Sequence, residues 1–297
     1  MKVLVLGAGG QLGWELQRTC PPDVTPVYCD VPKVDFFSTD SIVQCITATR
    51  PDCIINAAAY TAVDKAEQEP AAADRINHTA VREIARLCRQ HHIFLVHIST
   101  DFVFSGRNFK PYQPDDTPDP ESVYGKTKLA GEQAVRDTLN EFLIIRTAWL
   151  YSSHGSNFVK TMLRLMQEKP EIKVIDEQIG TPTWAHGLAR TVWTALDKNI
   201  QGIFHWTDAG VASWYDFAVA IQEEGIRAKL LERAIPIVPV ASSQYPTPAK
   251  RPMYSILDKS SFWQKLEITP VHWGVQLGAM VKELSDIKLI SAEKLKK

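Results

Sequence analysis

Four apolar residues, Val3–Leu6, run straight into Gly7-Ala8-Gly9-Gly10-Gln11-Leu12-Gly13, and a helical pattern opens at Gln11. A buried strand, a glycine-rich turn and a helix in immediate succession leave few options for the rest of the chain. Glycines remove the Cβ atoms that would hold a ligand away from the backbone. The helix start supplies free N–H groups at the positive end of its dipole. Such a turn suits a pyrophosphate. The strict dinucleotide fingerprint G-x-G-x-x-G fails because its last position is Leu12. Gly7, Gly10 and Gly13 instead give G-x-x-G-x-x-G, with Gln11 and Leu12 inside the loop. A tight turn without a ligand is the alternative, but the position directly after the first strand favours a cofactor loop.

The following 140 or so residues keep to that plan. Val24–Tyr28, Cys53–Asn56, Ile93–Ile98 and Phe142–Ile145 are short runs rich in Val, Ile or Leu without clean alternation, as strands buried on both faces require. Helical spacing occupies Gln11–Cys20, Ser41–Thr49, Ala72–Gln90 and Val123–Asp137. Strand and helix in alternation predict an α/β fold with a doubly wound parallel sheet of the Rossmann type. After about residue 150 prolines interrupt the pattern and most tryptophans appear. Residues 1–150 are therefore read as a dinucleotide-binding domain. Residues 151–297 are read as mainly a smaller α/β substrate domain, with segments returning to the first.

Bulk composition narrows the function class. A net charge of −1 provides no global field toward nucleic acid or an anionic membrane. No apolar run approaches a membrane span, and the N-terminal run is too short for a signal peptide. The five cysteines lack C-x-x-C spacing and predict reduced, mostly buried thiols. A cytoplasmic protein with no nucleic-acid or membrane partner is expected. The lysine-rich C-terminus reads as a solvated end.

Asp30 follows the second strand. A carboxylate there can accept hydrogen bonds from the adenosine ribose, which favours NADH over NADPH; a turn-forming Asp is the alternative. At the end of the third strand, Asn56-Ala57-Ala58-Ala59-Tyr60-Thr61 offers small residues where a cofactor could lie against the backbone. Tyr124-Gly125-Lys126-Thr127-Lys128 places a tyrosine and a lysine four apart on one helix face. Hydride addition to a ketone builds charge on oxygen, and a positioned phenol can donate the proton. A neighbouring ammonium is expected to lower the Tyr124 pKa from its usual 10 or so. Ser99-Thr100-Asp101 closes the fourth strand, where such sheets bind ligands. Thr100 can hydrogen-bond the substrate carbonyl and Asp101 a sugar hydroxyl, a helix cap being the alternative for both. His97 reads as a packed core histidine.

Together the glycine loop, the Ser/Thr after the fourth strand and the Tyr/Lys helix resemble the extended short-chain dehydrogenases and, among these, the dTDP-4-dehydrorhamnose reductases. The resemblance extends over Gly10–Gln17, Asn56–Glu67, Ser99–Phe104, Val123–Glu132, Arg146–Tyr151, Gly180–Thr183 and Tyr245–Pro252. It implies Tyr124 as proton donor, Lys128 as its partner and Thr100 as a tuning hydroxyl. NADPH or NADH is the implied cofactor, with Asp35 and Phe36 flanking the adenine and Ala59, Tyr60 and Thr61 against the dinucleotide. A dTDP-linked keto-sugar is the implied substrate, with Trp149 packed against the sugar. Arg251 suits the nucleotide diphosphate by virtue of its planar fork. Some relatives are linked to Mg²⁺ at a homodimer contact. Glu15 and Glu283 resemble two of its acids, while His186 stands where a third would be. A nucleotide-sugar epimerase or dehydratase, which Asp101 would also suit, and a non-catalytic regulatory subunit remain as alternatives.

Overall fold

The computed structural model describes the backbone of residues 1–294 and the side chains of 1–287 and 289. The lysine-rich end at 295–297 lies outside the described residues. The chain opens with β1 (Lys2–Leu6), α1 (Gln11–Arg18), β2 (Thr25–Cys29), α2 (Thr39–Thr49) and β3 (Cys53–Asn56). Two short helices follow, α3 (Val63–Ala66) and α4 (Pro70–Asp74). The second runs through a π-turn at Arg75–Thr79 into α5 (Ala80–His91). Next come β4 (Phe94–Thr100), α6 (Val123–Thr138) and β5 (Phe142–Thr147). The remainder comprises β6 (Leu150–Tyr151), α7 (Phe158–Glu168), β7 (Ile172–Ile175), β8 (Ile179–Gly180), β9 (Thr183–Trp184) and α8 (Ala185–Asp197). After these come β10 (Gly202–His205), β11 (Ala212–Ser213), α9 (Trp214–Arg227), β12 (Ile237–Val240), α10 (Ser260–Leu266) and α11 (Trp273–Lys294).

Six strands form one parallel sheet in the order β2-β1-β3-β4-β5-β10. The order reverses direction between β1 and β3, and the crevice beyond the carboxyl ends at such a point is where these sheets bind ligands. Both faces are covered, which is why the strand sequences are continuously apolar. On one face α1, α8 and α10 bury Leu12, Leu16, Val192, Trp193 and Phe262 against Val3, Val5 and Ile55. On the other, α2, α5 and α6 bury Ile42, Ile84, Leu87 and Val135 against Leu4, Leu6 and Ile54. α8, β10 and α10 all come from beyond residue 150 yet belong to this layer. A third core joins α7, α9 and α11 to the parallel pair β7–β12.

A buried ion pair locks the far side of the sheet. Arg146 on β5 donates through Nε and Nη2 to the Glu132 carboxylate on α6, at 2.9 and 2.7 Å, with both side chains almost fully buried. His205 on β10 lies beside this guanidinium. Burial and the Arg146 charge push its pKa down to about 3, so the ring is neutral. Cys29, Cys53 and Cys88 are buried, and all five cysteines are free thiols. Among the described residues no helix is long and apolar enough to cross a membrane.

Candidate active site

The glycine loop is shaped by close packing. Gly7 has φ +79°, a conformation that favours glycine, and a Cβ there would meet the Ala57–Ala58 backbone. Gly13 sits in the first turn of α1 so close to β1 that a Cβ would lie 2.3 Å from the Gly7 carbonyl oxygen. The absent side chain lets helix and strand touch, which brings the amino end of α1 to the crevice. Asp30, at the end of β2, accepts from the Gly9 and Val31 N–H groups at 2.7 and 2.8 Å. Its carboxylate thereby borders the loop.

An elongated cavity of about 610 Å³ crosses the carboxyl edge of the sheet. Asp30 and Phe36 stand at one end, and Gly7, Gly10, Gln11 and Leu12 form the middle with Ala59 and Thr61. Thr100, Asp101, Tyr124, Lys128 and Trp149 line the other end. Thus residues proposed from the sequence for the cofactor and for proton transfer share one space. Ser99 and Thr147 also line it, and each has a buried hydroxyl without a hydrogen-bond partner among the described residues. A glycine cradle and idle hydroxyls fit an elongated, oxygen-rich dinucleotide.

Tyr124 owes its position to α6. Ser122 caps that helix by accepting from the Gly125 N–H at 3.1 Å. Gly125 then lies against the Phe102 carbonyl, where a Cβ would be 2.2 Å from the oxygen. This contact sets Tyr124 beside Thr100, the last residue of β4. Burial pushes the Tyr124 pKa up to about 12, reinforced by the Asp101 charge and opposed by a hydrogen bond with Thr100. The sequence led us to expect a lowered value. The direction differs because burial dominates, while the Lys128 ammonium donates to the Ile98 carbonyl at 2.6 Å. Burial brings Lys128 itself down to about 8. Thr100 donates to Asp101 at 3.0 Å, and burial raises the Asp101 pKa to about 6. His97 faces inward from β4, hydrogen-bonded to Asn56 at 3.2 Å and held neutral by burial.

Several proposed residues stand elsewhere. Gly13 lies beneath the loop and serves the packing just described. The Tyr60 hydroxyl donates to Glu69 at 2.8 Å, outside the cavity wall, while its backbone is clamped by Asn77. Asn77 belongs to the π-turn, the kind of helix irregularity that redirects a side chain. Asp35 is exposed and turns its carboxylate to the Phe37 N–H, so of the pair only Phe36 lines the cavity. Arg251 makes a bidentate pair with Asp64 at 2.9 and 2.7 Å, which ties its proline-rich loop to α3 and leaves its fork occupied. Trp149 lines the cavity, but its ring stacks on Trp214 with centroids 3.6 Å apart, in a backbone conformation of φ +48°.

Sequence reasoning also missed the 152–157 loop. His154 stacks on Trp14 and hydrogen-bonds the Gly9 carbonyl at 2.9 Å. Asn157 donates to Gln11 at 2.9 Å, and Gly155 and Ser156 line the cavity above the glycine loop.

A family model described as the RmlD substrate binding domain matches residues 1–286. The chain belongs to that family. This RmlD-family chain is 40% identical to the dTDP-4-dehydrorhamnose reductase of Escherichia coli strain K12, over 96% of its length and 98% of the relative's. It is similar in structure to the dTDP-4-dehydrorhamnose reductase of Bacillus anthracis in complex with NADP. There the TM-score is 0.89 at 34% identity, covering 95% and 99% of the two chains. It is likewise similar to the dTDP-4-dehydrorhamnose reductase of Clostridium acetobutylicum, with a TM-score of 0.88 at 38% identity, covering 96% and 99% of the two chains.

The Mg²⁺ expectation does not survive the geometry. Glu15 is fully buried, accepts from Ser152 at 2.6 Å and lies 3.3 Å from both Arg18 and His186. Glu283 takes both terminal nitrogens of the same Arg18, at 2.5 and 2.9 Å. The guanidinium already stands between the two acids as their cation. Among the described residues of this RmlD-family chain no cluster of three or more His, Cys, Asp or Glu side chains is arranged to hold a metal.

Proposed function

We propose that the protein reduces the C4 keto group of dTDP-4-dehydro-L-rhamnose, giving dTDP-L-rhamnose, with NADPH or NADH as reductant. The observation that carries this reading is the convergence of Thr100, Tyr124 and Lys128 at one end of a dinucleotide-sized cavity, in a chain 40% identical to a reductase of that name. The nicotinamide supplies hydride to the carbonyl carbon when bound. Gly7, Gly10, Gln11 and Leu12 would hold the pyrophosphate against the amino end of α1, and Asp30 and Phe36 the adenosine end.

The chain's own residues handle the proton. A phenol of pKa about 12 is fully protonated at neutral pH, so Tyr124 enters the reaction as an acid. As charge develops on the substrate oxygen, Tyr124 gives up its proton there, and the Thr100 hydroxyl can stabilise the resulting phenolate by turning its proton from Asp101 to the phenolate oxygen. A Lys128 ammonium one helical turn away stabilises that phenolate further once it leaves the Ile98 carbonyl. Asp101 faces the same end and can accept from a sugar hydroxyl. Neither an epimerase nor a regulatory subunit accounts as well for near full-length similarity to reductases.

The direct test follows the absorbance of NADPH and NADH with purified protein and dTDP-4-dehydro-L-rhamnose. Oxidation with either cofactor, lost by at least two orders of magnitude in Tyr124→Phe while cofactor still binds, is the expected result. Cofactor binding without any oxidation by the unaltered protein would overturn the proposal.

A further inference from the structure

The segment between β6 and α7, Ser152-Ser153-His154-Gly155-Ser156-Asn157, comes from beyond residue 150 yet reaches back to the glycine loop. His154 Nε2 lies 2.9 Å from the Gly9 carbonyl oxygen, 145 positions away. A carbonyl oxygen only accepts, so this nitrogen carries the ring proton. The imidazole lies flat on Trp14 of α1, with centroids 4.5 Å apart and planes 12° apart. Asn157 donates to the Gln11 side chain at 2.9 Å. Gly155 has φ +71°, and a Cβ there would lie 3.2 Å from Gln11 Cγ, so the two loops are in contact.

The base of the segment is fastened as well. The buried Ser152 hydroxyl donates to Glu15 of α1 at 2.6 Å and accepts from the His154 N–H at 3.1 Å. Ser153 donates to Glu283 of α11 at 2.5 Å, and Arg18 bridges the two acids. Asn157 donates to the Ser152 carbonyl at 2.7 Å and caps α7 by accepting from the Lys160 N–H at 3.1 Å. Glu15 and Glu283, the acids that resemble metal ligands in the sequence, thus hold the two serines from which this segment springs.

Between the fastened residues stand Gly155 and Ser156, which are exposed and line the active cavity together with Gly9, Gly10 and Gln11. Holding a small, exposed tip in one conformation spares a ligand the entropy of ordering it on arrival. The His154 N–H also occupies the Gly9 carbonyl oxygen, which would otherwise turn uncompensated negative charge toward phosphate oxygens. We propose that Ser152–Asn157 is a second wall of the dinucleotide site, with Ser156 facing the pyrophosphate and His154 the positioning residue that holds this wall to the glycine loop. The inference rests on the reading of the cavity as a dinucleotide site and does not depend on which sugar is reduced.

The experiment titrates the full-length protein with NADPH by its fluorescence, without sugar, and then assays the same variants with dTDP-4-dehydro-L-rhamnose at saturating NADPH. Ser156→Glu sets a carboxylate on the exposed lip. It should raise the NADPH Kd about tenfold or more at low salt, and by less at about 1 M salt, where charges are screened within roughly 3 Å. His154→Phe keeps a ring on Trp14 and loses the donor, and should raise Kd about three- to tenfold, the worth of one hydrogen bond. His154→Gln keeps an N–H donor and should stay within about twofold of the wild type. The KM for the sugar should hold in all three. Lowered melting temperatures in both His154 variants with unchanged Kd would mean a merely structural role and overturn the proposal. So would an unchanged Kd in Ser156→Glu, which decides the matter even if His154→Phe fails to fold. Absence of NADPH binding by the unaltered protein would instead refute the cofactor reading itself, and this inference with it.

Discussion

Replacing Gly13 by alanine separates two roles that the glycine loop combines. The new Cβ would sit 2.3 Å from the Gly7 oxygen and 2.5 and 2.7 Å from Ala8 Cα and C. All three are backbone atoms of the turn that follows β1, so no rotamer change relieves the contact. Reaching an ordinary 3.4 Å requires α1 to retreat by about 1 Å. Overpacking of this kind costs about 1–3 kcal/mol, or roughly 2–6 °C in Tm for a chain of this size. The same retreat withdraws the α1 amides from the pyrophosphate, and a loss of about 1.4 kcal/mol there is a tenfold rise in Kd. Gly10→Ala is the control. Gly10 has φ −74°, which any residue adopts, and its Cβ would find only the Gly7 oxygen at 3.3 Å. That variant should melt with the wild type and still bind cofactor weakly, because Gly10 lines the cavity and Gly13 does not. Calorimetry and a fluorescence titration with NADPH measure both quantities. A Gly13→Ala protein with unchanged Tm and Kd would refute the packing argument, and a Gly10→Ala protein that binds normally would refute the cradle.

Four further outcomes are expected. Lys128 titrates at about 8 and is a cation only below that value, so kcat/KM of the free enzyme should fall as pH rises through 8; a flat profile from pH 7 to 9 would contradict its role. Because the folded state holds that proton less tightly than the unfolded chain, whose lysine titrates near 10.5, the charged form costs stability below pH 8 and the cost fades between 8 and 10.5; Lys128→Met should therefore melt higher than wild type at pH 7 and lose that advantage above pH 10.5. Asp30→Ala removes a carboxylate from the adenosine end and should shift the ratio of kcat/KM values toward NADPH by about 1–2 kcal/mol, five- to thirtyfold; an unchanged ratio would show that Asp30 does not face the ribose. Glu132→Gln strands the Arg146 charge in the core and should lower stability by about 3–5 kcal/mol in urea denaturation, whereas a loss below 1 kcal/mol would mean that water reaches the pair.

The fold was readable because its signals are local. Strands buried on both faces must be continuously apolar, and helices covering a sheet must carry a stripe, so each element declares itself within about ten residues. The glycine loop, Thr100 and the Tyr124–Lys128 pair were readable for the same reason, since each is a short motif at the end of one element. What escaped was the exception inside an element. The helical pattern over Ala72–Gln90 contains a π-turn, and it is this extra residue that aims Asn77 at the Tyr60 backbone. Periodicity averaged over several turns does not resolve one inserted residue.

Contacts between remote segments escaped for a different reason. Arg251 was read as suited to a diphosphate and Arg18 was not singled out, yet both are taken by carboxylates far along the chain. Arg251 meets Asp64 across 187 positions, and Arg18 meets Glu283 across 265. A guanidinium has one planar fork, and a bidentate partner at 2.7–2.9 Å uses it. For Arg251 to take a diphosphate, the ligand must first displace Asp64, whose carboxyl is held below its ordinary range chiefly by that same hydrogen bond. For a metal to enter between Glu15 and Glu283, it must displace Arg18, which lies 3.3 Å from the first and 2.5 Å from the second. The residue types alone were compatible with ligand or metal; in the folded chain each guanidinium already has a carboxylate within 3 Å, a distance that only folding sets.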